Sequence, residues 1–371
     1  MSTPLRPAGN AVPPTERADR TDRVDPVLRV DDLGVRIATE GGEVTILHSV
    51  SMDLGTDEIL CVVGESGSGK SVTMLSVMRL MDERITTYTG RVEFEGENLL
   101  DLTPRGMRRI RGARIAMIFQ DPMTALNPVY SIGWQLIEQL RAHTDLSRSQ
   151  ARRRAVELLR AAGIADPDRR IDDFPHQLSG GMRQRVMIAL ALSCRPRVLI
   201  ADEPTTALDV TVQAQILKLI SELKAETGMS VILVTHDMGV VAELADRVQV
   251  MYGGRVVEEG AVGDIFNQAE HPYTWGLLGS IPRLDRPRPE RLPSISGVPA
   301  NAADVGVGCV FRDRCPHRFE PCDRQPPLAA VRGTTEPAGT DRTTHRVACH
   351  LPPADRAARR PSPAPPATEW R

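Results

Sequence analysis

The sequence predicts an α/β fold, and three observations carry that prediction. Short, wholly apolar runs (residues 59–63, 115–119, 198–201 and 231–234) have the length and texture of strands buried on both faces of a parallel sheet. Between them lie longer stretches with apolar residues at helical spacing, as a strand–helix–strand chain requires. The runs also end in polar or glycine-rich residues, and an open parallel sheet gathers its ligands at the carboxyl ends of its strands.

The first run leads into Gly64-Glu65-Ser66-Gly67-Ser68-Gly69-Lys70-Ser71, which is Gly, four residues, then Gly-Lys-Ser. Apolar and polar residues from 71 to 81 then read as a helix. Gly64, Gly67 and Gly69, with Ser66 between, let the backbone curl so that successive N–H groups face phosphate oxygens. The helix behind adds its own unpaired N–H groups and the positive end of its dipole. Lys70 is then placed for the β- and γ-phosphates and the Ser71 hydroxyl for Mg²⁺. A chance Gly/Ser turn would not be framed by strand and helix in this way, so the stretch reads as a nucleoside triphosphate site.

The totals fit this reading. A chain of 371 residues with 41% hydrophobic and 25% charged content has ample material for a core. A net charge of −2 argues against binding nucleic acid through bulk electrostatics. No apolar run approaches the roughly 18 residues that cross a bilayer, and the amino terminus has no apolar core of signal-peptide type. A cytosolic chain is expected, with any membrane role carried by partners. Residues 1–26 hold five prolines and no periodicity and are expected to be disordered. Residues 28–54 alternate as strands around a turn at Gly41-Gly42, giving an antiparallel β subdomain, and residues 91–94 read as another strand. Residues 121–185 lose strand character and gain helical faces (Ile132, Leu136, Ile137, Leu140; Ala155, Leu158, Leu159, Ala162), which predicts a helical insertion. Asp209 and Gly228 bound a further helix, and residues 248–252 and 255–259 read as a hairpin across Gly253-Gly254. Residues 276–351 are loop-rich, and 352–371 are expected to be a disordered Pro-rich tail.

Three strands end at Gln120, Asp202-Glu203 and His236. Asp202 is placed to hold Mg²⁺ through water, and Glu203 to polarise the attacking water. A second helix opens at Ser179-Gly180-Gly181, another N-terminus suited to phosphate. A half-site with loop, metal ligand and base lacks donors for the outer face of the γ-phosphate. Such a helix tip supplied by a partner would complete it and exclude water.

Taken together, the phosphate loop, Gln120, residues 178–184 and 198–203, Ala207-Leu208-Asp209 and His236 resemble the ATP-binding-cassette ATPases in order and spacing. The resemblance covers residues 28–260 and implies a RecA-like phosphate-loop core over residues 27–275. It implies that Gln120 contacts Mg²⁺ and the water, and that His236 holds the γ-phosphate. Ser179, Gly180, Gly181 and Gln184 would be donated to the partner's ATP, with Asp209 at the interface of the two ATPases. One departure is the absence of Phe, Trp or Tyr before Tyr88: Ile37 stands where family members place an adenine-stacking aromatic.

Residues 120–128, 202–215 (DEPTTALDVTVQAQ) and His271-Pro272-Tyr273-Thr274, with the cysteine-bearing segment, are similar to the ATPase subunits of oligopeptide/dipeptide importers. This implies ATP-driven peptide uptake from the cytoplasmic face of the membrane. The partners implied are two transmembrane permeases, a second ATPase (a copy or a homologue) and an external binding protein. Import of nickel or another small solute is the nearest alternative. A non-transport cassette ATPase is the more distant one, disfavoured by the single cassette and the lack of heptads. Cys61 and Cys194 read as packed thiols. Cys309, Cys315, Cys322 and Cys349 sit in a segment with little visible core, which suggests a cross-link. Their spacing lacks the short zinc knuckle, and four thiolates suit a [4Fe–4S] cluster. The importer resemblance also favours the cluster, with zinc or no metal as alternatives.

Overall fold

The computed structural model describes residues 26–121, 125–206, 208–281, 295–300, 305–331 and 344–360. The expected disorder of residues 1–25 and 361–371 lies outside them, as do Ala207 and residues 122–124.

Two sheets face each other. β1 (Leu28–Thr39) and β2 (Gly42–Leu54) form an antiparallel hairpin closing at Thr39 and Gly42. β3 (Ile59–Val63) leaves this layer for the second sheet. β4 (Thr86–Phe94), longer than the expected strand, pairs with the other edge of β1, and β5 (Glu97–Asn98) with β4. The second sheet adds β6 (Ile115–Ile118), β7 (Val198–Asp202), β8 (Ser230–Thr235), β9 (Arg247–Tyr252), β10 (Arg255–Ala261), β11 (Ala329–Ala330) and β12 (Arg346–Val347). Its order is β11-β12-β10-β9-β3-β8-β7-β6, with β9, β3, β8, β7 and β6 mutually parallel.

The parallel strands are apolar throughout because both of their faces are covered. Cys61, Val63, Leu199, Ala201, Val231 and Leu233 point to one side. There they meet helices α3 (Ile132–His143), α4 (Arg148–Ala161), α6 (Gly180–Leu192) and α7 (Val210–Thr227). Leu60, Val62, Ile200, Ile232 and Val234 point the other way, onto Val30, Leu33 and Leu47 of the antiparallel sheet and onto α1 (Lys70–Val77). Each of the Val, Leu and Ile side chains among these contributes about 1.5–3 kcal/mol on burial, so the sandwich is the main stabilising feature. The shorter helices are α2 (Pro104–Ile110), α5 (Pro167–Arg170), α8 (Met238–Leu244), α9 (Val262–Gln268), α10 (Pro272–Gly279) and α11 (Pro353–Arg359).

Helix ends follow local chemistry. The Asp209 carboxylate accepts the Val212 N–H at 2.9 Å and Gly228 closes α7 at φ 66°. α1 stops at Val77, four residues short of the expected end. Arg79 turns to φ 48°, and the Arg111 guanidinium takes the carbonyls of Met78 and Arg79 that a further turn would need.

The cysteine-bearing segment is less separate than its sequence suggests. β12 pairs with β10, and Val310 and Phe311 are buried in the same core as β3. Nor does order end at residue 351: α11 is helical and its Arg356 pairs with Glu270 at 3.1 Å. That buried carboxylate, distant in sequence, is what a composition-based reading could not see. Among the described residues no helix is long and apolar enough to cross a membrane.

Candidate nucleotide site

The phosphate loop runs from the end of β3 into α1. Gly64 and Gly69 have φ 153° and 102°, and a Cβ on either would lie 2.3 Å from the Met251 carbonyl oxygen or 2.8 Å from Leu47 Cδ2. The curl is thus wrapped against β9 and β2 by backbone that only glycine allows. Ser66 and Gly67 form the exposed crest. Lys70 is buried and donates to the carbonyls of Gly64 (2.7 Å) and Glu65 (2.9 Å) and, at 3.4 Å, to the Ser68 hydroxyl. Burial pulls its ammonium below the usual lysine range, opposed by Glu203, Asp202 and Glu65.

The strand ends converge on this loop. The Ser71 hydroxyl donates to Asp202 Oδ1 at 3.0 Å, joining two of the three expected Mg²⁺ ligands. Burial raises the Asp202 carboxyl above its ordinary value, with the Ser71 hydrogen bond opposing. A buried ammonium favours an incoming anion and a buried carboxylate favours a cation, so the site fits a metal-bound polyphosphate. Glu203 is held at φ 46° with its N–H on the Val234 carbonyl. Its Oε2 accepts from Gln120 Nε2 and Thr206 Oγ1, both at 2.9 Å, and its Oε1 lies 3.5 Å from His236 Nδ1. Left-handed backbone at a non-glycine residue costs on the order of 1–3 kcal/mol and here aims the Glu203 carboxylate at Gln120, Thr206 and His236. Gln120, Asp202, Glu203 and His236 are therefore brought together.

Ser179, Gly180 and Gly181 form an outward-facing helix tip, with Ser179 Oγ accepting the Met182 N–H. Gln184 does not join them. It is buried, and its amide donates to the Pro204 carbonyl at 2.5 Å, so it ties α6 to the loop after Asp202-Glu203 instead of facing a partner. Helical spacing puts residue 184 about one turn from 180 and 181 and hides the inward turn of its side chain.

Sequence reading gave no role to Thr206, Glu65, Tyr273 or Arg314. Thr206 stands in the run 202–215 and could have been found there. The others meet only in space: the Tyr273 hydroxyl accepts the Glu65 N–H at 2.7 Å, and Arg314 pairs with the Glu65 carboxylate.

The expected cluster or zinc site is not supported. Cys309, Cys315, Cys322 and Cys349 are near enough to feel one another's charge. Among the described residues, however, no group of three or more His, Cys, Asp or Glu is arranged to hold a metal ion. Burial pushes the thiols of Cys309 and Cys349 up to about 11 and about 12, and raises Cys315 as well, which suits packed neutral side chains. The premise of a coreless segment fails too. Phe311 is 2% exposed and packs at 5.2–5.3 Å on Tyr252 and Tyr273, so this segment shares the main core and needs no cross-link to hold shape.

Comparison with known proteins agrees with this geometry. Residues 47–206 match the family model for "ABC transporter", and residues 257–322 match that for "Oligopeptide/dipeptide transporter, C-terminal region". The chain is 51% identical to the dipeptide transport ATP-binding protein DppD of Bacillus subtilis, covering 88% of this chain and 95% of that one. It is 47% identical to the oligopeptide transport ATP-binding protein OppD of the same organism, covering 84% and 88%. A solved dimeric structure of the ATP-binding cassette MJ0796, in a post-hydrolysis state with ADP and Pi, superposes with TM-score 0.58 at 29% identity. It covers 63% of this chain and 98% of that one.

Proposed function

The chain belongs to the ATP-binding-cassette ATPases that serve peptide transporters, and we propose that its strand-end cluster drives uptake of di- or oligopeptides across the cytoplasmic membrane. The single observation carrying the catalytic part is the convergence of Ser71, Asp202, Glu203, Gln120 and His236 on one glycine cradle. Lys70 leaves the carbonyls of Gly64 and Glu65 to bind the β- and γ-phosphates. Ser71 and Asp202 hold Mg²⁺, which when bound neutralises charge building on the phosphates. Glu203 orients the attacking water and takes its proton at a carboxylate oxygen, and His236 donates to the γ-phosphate. Gln120, bonded to Glu203 and exposed at the end of β6, reports the state of the site to a membrane partner.

The open face of the cradle is completed in trans. Ser179 and the N–H groups opening α6 of a second ATPase meet the γ-phosphate there, and closing the pair removes water and strengthens every charge interaction. Binding of ATP thereby closes two subunits and hydrolysis reopens them, which alternately exposes a pathway through two permease subunits. The chain sits peripherally on the cytoplasmic face, with a homologous ATPase as its partner and an external binding protein delivering peptide.

Glu203→Gln tests the chemistry. It should leave ATP binding intact and lower turnover by roughly 10²–10⁴-fold, the usual worth of a positioned base. Full turnover in that variant would remove Glu203 from the mechanism. Peptide-stimulated hydrolysis by the reconstituted assembly tests the substrate, and stimulation by nickel or a small solute but not by peptide would move the assignment.

A further inference from the structure

Glu65, second residue of the phosphate loop, is fixed at three points. Its N–H donates to the Tyr273 hydroxyl at 2.7 Å, its carbonyl accepts Lys70 Nζ at 2.9 Å, and its carboxylate is gripped by Arg314. The grip is a fork, with Nη1 2.5 Å from Oε2 and Nη2 3.1 Å from Oε1. Arg314 is itself anchored: its side chain is 5% exposed, and it donates to the carbonyls of Ser296 (2.9 Å) and Ile295 (3.1 Å) and to the Tyr252 hydroxyl (3.2 Å). Glu65 and Arg314 stand 249 positions apart in the chain, so the contact is purely tertiary.

We propose that Arg314, in the cysteine-bearing segment, is a positioning residue for ATP: it neutralises Glu65 and holds the phosphate loop in its receptive shape. The proposal rests on the ATP site described above. The Glu65 carbonyl accepts Lys70 Nζ at 2.9 Å, so this residue borders the cradle and its negative charge lies near the nucleotide's phosphates. An unpaired carboxylate there would repel a polyanion and compete with it for Lys70. A bidentate guanidinium removes both effects and, being held by three further acceptors, fixes the carboxylate's direction. The segment after β10 thus serves the nucleotide site as a strut.

The test uses the full chain assembled with its transporter partners, with MgATP as the varied ligand. Arg314→Gln should raise KM for ATP roughly tenfold, the size of a 1.4 kcal/mol loss of binding, while kcat stays near wild type. Glu65→Gln combined with Arg314→Gln should recover most of that loss, because the repelling anion is gone; a merely structural role for Arg314 predicts no rescue. Arg318→Gln is the control, since Arg318 is half exposed and, among the described residues, pairs with Asp313 and Asp323 nearby; its KM should be unchanged. A wild-type KM in Arg314→Gln, or a double variant no better than Arg314→Gln, overturns the strut and leaves the ATPase assignment standing. No turnover in the wild-type assembly takes both. Should Arg314→Gln fail to assemble, Arg314→Lys decides. It keeps the charge without the fork, and a raised KM at unchanged kcat supports the proposal, whereas a wild-type KM overturns it.

Discussion

His271 gives the chain an acid-sensitive element beside the nucleotide site. Its imidazole is 1% exposed and caps α10, with Nδ1 accepting the Tyr273 N–H at 3.1 Å. A ring nitrogen that accepts a hydrogen bond must be unprotonated. Burial pulls the group from 6.5 down to about 4, against the pull of the Glu258 carboxylate and with help from Arg356. Glu258 is already engaged by the N–H groups of Glu270 and His271 and by His345 Nε2 at 2.8 Å. The unfolded chain therefore takes up this proton near pH 6.5 and the folded chain only near pH 4. Stability is full above pH 6.5 and is lost progressively as pH falls between those values. The whole window is worth about 3 kcal/mol, of which about 2 kcal/mol is gone by pH 5. For a chain of this size that corresponds to a melting temperature lower by about 3 °C. His271→Asn keeps a carbonyl acceptor at the cap and removes the titration. Thermal melts of both proteins at pH 7.5 and pH 5 should show wild type losing about 3 °C more than the variant. Parallel losses in the two proteins would refute the reasoning, since the remaining carboxylates act on both alike.

Two further outcomes follow from the nucleotide site. Gly181→Asp in every ATPase subunit puts a Cβ 3.1 Å from Val212 Cγ1 and adds a negative charge at the helix tip; turnover by the assembly should fall at least about 100-fold, the scale of a lost oxyanion donor, while the isolated chain still binds ATP. Unchanged turnover would remove the trans-completed site. Ile37 is half-buried against the core that holds Leu33 and Leu47, so a base stacked at the position the family resemblance implies would meet aliphatic packing. ATP and GTP affinities measured side by side should differ by less than about tenfold, and Ile37→Tyr should widen the gap in favour of ATP by roughly 0.5–1.5 kcal/mol, the worth of an aromatic pair. A strong adenine preference in the wild type would count against this.

What the sequence determined by itself is whatever depends on near neighbours. The phosphate loop needs glycines at fixed steps, the parallel strands need unbroken apolar runs, and Asp209 and Gly228 announce the ends of their helix. Strand ends at Gln120, Asp202 and His236 could be placed because parallel strands all deliver their carboxyl ends to one edge. Tertiary structure decided the rest, since the deciding partners lie far away along the chain. Arg111 ends α1 early, Pro204 draws Gln184 inward, Glu270 orders α11, and Arg314 reaches Glu65 across 249 residues. The four cysteines show the same limit from the other side. Their segment reads as coreless, yet Phe311 enters the aromatic cluster of Tyr252 and Tyr273. Periodicity reports which face of an element is apolar; which distant surface covers that face is fixed only when the chain folds.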